Sequence, residues 1–202
     1  MNAIATHSKF RLGGKLVEKK IPQPKLLTYE DYVKLTPPDN GNFELLNGQI
    51  FFMASPKPSH QRISSRINIF LGTFVILNNL GDLLAAPMDV LFTPHDTFQP
   101  DLLFISKERL GIIGENKIEG SPDLVIEILS PSNDNQEMSY KKHIYEVSGV
   151  KEYWLINVEK QTLTQYEQEE NELRWKRVLQ KNETLKTDII KGFELELNKF
   201  FE

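Results

Sequence analysis

The chain has 202 residues, enough for one sizeable core and a single domain. Hydrophobic residues make up 40% and charged residues 26%; there is no Cys, and the net charge is −4. That excludes a disulfide framework and a thiolate metal site, and it counts against a surface that binds nucleic acid all over.

No apolar run approaches the roughly 18 residues needed to span a bilayer, so no membrane segment is expected. His7, Lys9 and Arg11 are followed by no apolar stretch, so no signal peptide is expected either. The lack of Cys fits a cytoplasmic protein.

Residues 1–27 are polar and aperiodic, with Gly13-Gly14, Pro22 and Pro24, and read as a flexible N-terminal arm ahead of one domain over 28–202. Thr28 and Asp31 form a capping-box pattern that opens a short helix through Leu35, stopped at Pro37-Pro38-Asp39-Asn40-Gly41. Phe43–Leu46 and Gln49–Met53 flank Asn47-Gly48, the strongest short hairpin signal, because both turn residues tolerate positive φ.

From Ser59 to Asn79 the apolar spacing is helical, through Ile63, Ile67, Phe70, Leu71, Phe74 and Leu77. Ser59 is the expected N-cap, Gly81 the expected stop, and Arg62 and Arg66 fall on the polar side. Leu83–Phe92 reads as a strand broken at Pro87, and 93–98 as a loop.

Asp101–Ile105 and Asp123–Leu129 are continuous apolar runs preceded by Pro, as expected of strands buried on both faces. Asn135–Val147 reads as a helix with Met138, Ile144 and Val147 inward, closed by Gly149; Glu152–Asn157 follows as another buried strand. Thr162–Tyr166 and Leu173–Val178 alternate around the acidic segment 167–172, as in a half-solvated antiparallel hairpin, and 189–201 adds a last strand and a turn. The order implies an α/β fold with a partly antiparallel sheet carrying packed helices.

Glu127 is the odd residue, a carboxylate inside Val125-Ile126-Glu127-Ile128-Leu129. Burying it is costly unless a cation meets it. One solution is a buried ion pair with Lys141. The other is a metal site: Asp101 begins the neighbouring strand candidate, and two close carboxylates repel unless a proton or a metal bridges them. Oxygen ligands without His or Cys favour Mg²⁺, with Mn²⁺ as a substitute, and Mg²⁺ with few carboxylates points to phosphoryl chemistry. Lys141, on the helix after Glu127, would orient water or stabilise transition-state charge; Tyr145 shares its face. Adjacent Lys142 points about 100° away and is either a substrate contact or a surface lysine. Asp123 reads as a residue that caps or solvates its strand start, and Tyr153 and Trp154 as core and edge packing.

Pro100-Asp101, Glu127 with Ile128-Leu129-Ser130-Pro131-Ser132, Lys141, Tyr145 and Gly149-Val150-Lys151-Glu152-Tyr153-Trp154 occur in an order and spacing that resembles the bacterial Uma-type restriction-endonuclease family of the PD-(D/E)XK phosphodiesterase superfamily. Phe43-Glu44-Leu45-Leu46-Asn47-Gly48 and His60 also match, and the resemblance covers about residues 28–167.

The resemblance implies a restriction-endonuclease-like mixed central sheet flanked by helices, with N-terminal and C-terminal β-hairpin additions. It implies a Mg²⁺-dependent endonuclease acting on DNA, with the metal held by Asp101, Glu127 and the carbonyl of Ile128, and with Lys141 and Glu44 as catalytic residues; read from the hairpin alone, Glu44 is equally a cross-strand partner on an exposed face. His60 would contact phosphate, and no organic cofactor is implied.

Three positions depart from the pattern. Leu129 stands where the superfamily places Lys, so Lys141 must supply it; Glu137 and Asn157 replace Asp. A nuclease-fold DNA-binding or assembly module without turnover is therefore the alternative, and hydrolysis of RNA or a small phosphodiester a third reading. The need to cut two strands, and the free edges of the C-terminal hairpin, lead to an expected homodimer.

Overall fold

The computed structural model describes residues 25–37, 43–130 and 135–201, with the backbone of 7–12 and 15–20. Within the expected arm, strands β1 (His7–Leu12) and β2 (Lys15–Lys20) pair antiparallel. The rest of 1–24, most of the helix-stopping turn (38–42) and the motif residues Pro131 and Ser132 lie outside the described residues.

Helix α1 (Tyr29–Leu35) opens on the expected capping box between Thr28 and Asp31. Strands β3 (Phe43–Leu46) and β4 (Gln49–Phe52) form the expected hairpin, with Asn47 at φ 48° and Gly48 at φ 68°. Glycine is required at 48: a Cβ there would lie 2.6 Å from Leu26 Cβ.

Helix α2 (Pro58–Leu77) differs at both ends from the expectation. Its N-cap is Lys57, without a side-chain hydrogen bond, because Pro58 takes the first helical position instead of Ser59. It ends at Asn78, with Asn79 at positive φ; Gly81 instead opens the next strand, where a Cβ would lie 2.1 Å from the Ile105 carbonyl oxygen. Phe70 and Leu77 of the helical pattern are exposed.

The expected 83–92 strand is two, β5 (Gly81–Ala85) and β6 (Val90–Thr93), in different sheets with Pro87 between them. The segment 93–98, expected as loop, contains β7 (Asp96–Phe98), a three-residue strand too short to show a periodic pattern. Next come β8 (Leu102–Ser106), a 3-10 helix (Lys107–Ile112), β9 (Ile118–Glu119), β10 (Leu124–Leu129) and helix α3 (Asn135–Ser148). Val147 of α3 is exposed; the inward residues are Lys141, Ile144 and Tyr145. Gly149 (φ 87°) closes α3 as expected: its N–H reaches the Glu146 carbonyl and the Val150 N–H that of Tyr145, a Schellman motif. The chain finishes with β11 (Glu152–Asn157), β12 (Thr162–Glu169), β13 (Glu172–Gln180), β14 (Thr184–Lys186), β15 (Glu194–Glu196) and the single turn α4 (Asn198–Phe201).

The central sheet has six strands in the order β13-β12-β11-β10-β8-β5, with only the β10–β11 pair parallel. A second sheet runs β4-β3-β7-β6-β9. The mixed α/β expectation holds, with β8 and β10 buried inside the sheet.

Strand alternation divides the central core. Leu124, Ile126 and Ile128 pack with Trp154 and Ile156 against Ile63, Ile67 and Leu71 of α2. Val125 and Tyr153 pack on the other face with Ile144 and Tyr145 of α3 and Phe98 of β7. Each such fully buried side chain contributes roughly 1.5–3 kcal/mol. Glu127 is odd-numbered like Val125, so the strand turns it towards α3. No helix among the described residues is long and apolar enough to cross a membrane.

Candidate active site

An open cleft of about 360 Å³ lies between the β3–β4 hairpin, the start of α2, α3 and the ends of β7 and β10. Glu44, His60, Asp101, Glu127, Glu137 and Lys141 all line it. Glu44, His60, Asp101, Glu127, Ile128 and Lys141, named above from the sequence, are thus brought together from five segments of the chain.

Asp101 is placed by a backbone need. Strand β8 pairs with β10 only as far as Leu102 opposite Ile126, so the next inward-facing β10 amide on that side has no strand partner. Asp101 stands just before β8, and its Oδ2 accepts the Ile128 N–H at 2.7 Å. The same oxygen lies 3.1 Å from His60 Nε2. Burial works against a charged His60, but the hydrogen bond and charge of Asp101, with Glu127 behind it, leave the imidazole's pKa raised.

Glu44, expected as an even choice between an exposed cross-strand residue and a site acid, is 1% exposed. Its Oε1 accepts the Gln99 N–H at 2.7 Å, which ties β3 to the Gln99-Pro100-Asp101 segment. Lys141 Nζ lies 2.9 and 2.7 Å from its two carboxylate oxygens.

Lys141 is buried to 2% exposure on the inner face of α3. Besides Glu44 it approaches Glu127 Oε1 at 3.8 Å and Glu137 Oε1 at 3.9 Å. Burial opposes its charge, but these three carboxylates raise its pKa. Tyr145, one turn on, donates to Glu127 Oε1 at 2.6 Å. Its ring is held by Phe92, Phe98 and Tyr153.

Glu127 therefore has one oxygen engaged; no hydrogen bond to Oε2 occurs among the described residues. Burial, then the charges of Asp101 and Glu44, push its pKa up to about 7 against the pull of Lys141. Four carboxylates around one lysine and one histidine make an acid-rich cluster, which a proton or a cation must relieve. No group of three or more His, Cys, Asp or Glu side chains converges as a metal cluster among the described residues. The donors nonetheless fit a hard cation that takes one or two carboxylates and a carbonyl and keeps several waters.

Lys142 is elsewhere. It lies 3.5 Å from Glu146 and over the Tyr166 ring, outside the residues that line the cleft. Asp123 is not solvated at its strand start but fully buried. Burial alone would raise its pKa; Lys151, the Ser106 N–H and Arg109 together hold it below the usual carboxylate range. Asn157 caps a turn by accepting the Lys160 N–H. His95 meets the Leu27 carbonyl and His143 is exposed, and neither lines the cleft; the side chain of His7 lies outside the described residues. Sequence reasoning missed Gln99 and Glu137 as parts of the cleft. Glu137 carried a signal, since it stands one helical turn before Lys141.

The family model described as "Putative restriction endonuclease" (Uma2) matches residues 29–198. The chain belongs to the Uma2 family. A similar solved structure is that of a "putative nuclease" belonging to DUF820 from Anabaena variabilis ATCC 29413. It is 20% identical and covers 87% of this chain and 97% of its own, with a TM-score of 0.73. That likeness shows a shared fold. No curated protein matches the chain.

Proposed function

We propose that this Uma2 member is an endonuclease that hydrolyses DNA phosphodiester bonds with Mg²⁺, for which Mn²⁺ substitutes. The observation that carries the reading is Asp101 bound to the backbone one residue beyond Glu127, in a cleft where Lys141 reaches Glu127 from α3. Asp101, Glu127 and the Ile128 carbonyl would hold the cation. When bound, it supplies Lewis-acid polarisation of the phosphate and an acidified water.

The protein groups do the positioning. Tyr145 holds Oε1 of Glu127 through its hydrogen bond, with the Lys141 ammonium 3.8 Å away, and Glu127 lines the cleft. Glu44 holds the Lys141 ammonium in place, where it orients the attacking water and offsets charge on phosphorus in the transition state. His60, beside Asp101, faces a phosphate oxygen. Strands β12 and β13 end the central sheet, and outermost β13 exposes Trp175 (63%) and Val178 (40%), a surface on which two copies would pair. A chain without Cys is suited to act in the cytoplasm.

One observation favours the second reading, a DNA-binding or assembly module without turnover: Lys141 is already locked to both oxygens of Glu44. Plasmid DNA incubated with purified protein and Mg²⁺ or Mn²⁺ tests the pair. Cleavage is expected, and Asp101→Ala should remove it; cleavage that survives the change ends the assignment. Calorimetry showing Mn²⁺ binding with no cleavage of any nucleic acid would select the module.

A further inference from the structure

The cleft is lined by the polar set and also by apolar side chains, those of Phe52, Met53, Ala54, Pro56, Pro87 and Met138. Phe52 is the largest of these and is 65% exposed. It ends β4, the outermost strand of the second sheet, and its ring meets Phe43 edge-on at 5.4 Å and 67°. A single exposed phenylalanine is unremarkable on a protein surface. This one lines the same cleft as Asp101 and Glu127, where a bound substrate could reach it.

Charge narrows the choice. Among the described residues lining the cleft, Lys141 is the only Lys or Arg, and it is buried against Glu44. A duplex is gripped mainly through phosphates, by exposed Lys and Arg. The described lining residues offer no exposed Lys or Arg and do offer an aromatic face. Unpaired bases stack on such faces whatever their identity. A cleft of about 360 Å³ is also in the range of sites that enclose a small-ligand-sized group.

We propose that Phe52 is a base-stacking platform, and that the substrate enters with an unpaired nucleobase on the Phe52 ring and its adjoining phosphate towards Asp101 and Glu127. The inference rests on the nuclease reading above and adds that single-stranded or locally unpaired DNA is the preferred form.

The test is fluorescence anisotropy of the full chain in Ca²⁺ buffer, with a labelled single-stranded oligonucleotide and its blunt duplex. Cleavage of single-stranded circular DNA in Mn²⁺ is followed in parallel. The single strand should bind more tightly than the duplex. Phe52→Ala should weaken single-strand binding by about 5- to 150-fold, the range for losing one base–aromatic stack, and Phe52→Trp should restore it. The inference falls if Phe52→Ala stays within about twofold of the native protein, if Phe52→Leu binds as well as Phe52, or if the duplex binds more tightly. Cleavage that persists with a neutral Phe52→Ala removes the platform alone. Failure to bind or cut either form removes the nuclease reading, and the platform with it.

Discussion

Two glutamates sit inside adjacent strands of the same sheet and meet opposite fates. Glu152 on β11 shares a face with Trp154 and is fully buried. Its Oε1 accepts from Trp154 Nε1 and Gln165 Nε2, and its Oε2 from Thr187 Oγ1 at 2.6 Å. Burial raises its pKa, and these three neutral donors work against the rise. Glu127 on β10 faces the other way, towards α3. It has one neutral donor, a lysine shared with two other acids, like-charged neighbours and an opening to solvent. A buried carboxylate is therefore no sign of chemistry by itself. What separates the two is completeness: Glu152 is closed by donors that link β11, β12 and the chain after β14, whereas Glu127 is left needing a positive charge.

The comparison breaks most visibly in rate. Glu127→Gln should lower Mg²⁺-dependent DNA cleavage by at least about a hundredfold, as loss of a metal ligand does. Glu152→Gln should leave cleavage unchanged but replace one of the two acceptor oxygens by an N–H₂ that faces a donor, costing about 1–3 kcal/mol in urea unfolding. The reverse outcome, a silent Glu127→Gln with an inactive, stable Glu152→Gln, would show that the two roles are exchanged.

In stability the largest effect belongs to Lys141. Lys141→Met leaves Glu44 and Glu127 buried without their cation and should cost about 3–5 kcal/mol, read from the urea midpoint. Adding Glu44→Gln to it should return part of that loss, because one uncompensated charge is then gone. A cost under about 1 kcal/mol for Lys141→Met would mean that the cluster is already neutralised by protons.

The sequence made half of this comparison legible. Pro-bounded apolar runs placed β8 and β10 in the sheet, and a carboxylate inside the second run marked Glu127 as unusual. Helical spacing put Tyr145 on the face of Lys141, and the Schellman glycine ended that helix where expected. The role of Glu152 was hidden, because its partners Gln165 and Thr187 come from later strands and a loop that no local pattern connects to it. Glu44 was undecided for the same reason: on a hairpin, alternation says which side a residue takes, but not whether another sheet covers that side. Val147 was misplaced because apolar residues can stand on the solvent side of a short helix, whereas the buried positions were filled by Lys141 and Tyr145, which a hydrophobic pattern discounts. Asp123 looked solvated because Arg109 and Lys151, which close it in, lie on segments that only the tertiary fold brings together.

Acid-base linkage gives a smaller, graded test. Burial and the negative neighbours raise Glu127 to about 7 from an ordinary 4.5, so the folded state holds that proton more tightly than the unfolded chain. Stability should be fullest at low pH on this account and fall as pH rises from about 4.5 to about 7, by on the order of 3 kcal/mol at most. His60, also raised, acts in the same direction: its contribution is present below its unfolded value and lost as pH rises through the folded one. Mn²⁺ should flatten the fall by replacing the proton, and Glu127→Gln should remove the Glu127 part of the slope. A urea midpoint that rises over that interval in the native protein would contradict the raised carboxyl. Glu152→Gln should leave most of the Mn²⁺ effect intact, since no cation is called for on its side of the sheet.

The smallest effect is expected one residue from the largest. Lys142 stands next to Lys141 on α3, about 100° round the helix, with its ammonium 3.5 Å from Glu146 and over the Tyr166 ring. An i, i+4 pair that water reaches is worth roughly 0.3–0.5 kcal/mol, and the ring contact adds about as much again. Lys142→Ala should therefore shift the urea midpoint by under about 1 kcal/mol and leave cleavage within about twofold. Sequence proximity gives the two lysines the same local chemistry; the helix face alone separates them. If Lys142→Ala reduced cleavage as strongly as the Lys141 change, while DNA binding weakened uniformly and more steeply at low salt, Lys142 would be a phosphate contact outside the cleft, and substrate would extend across α3 towards β12.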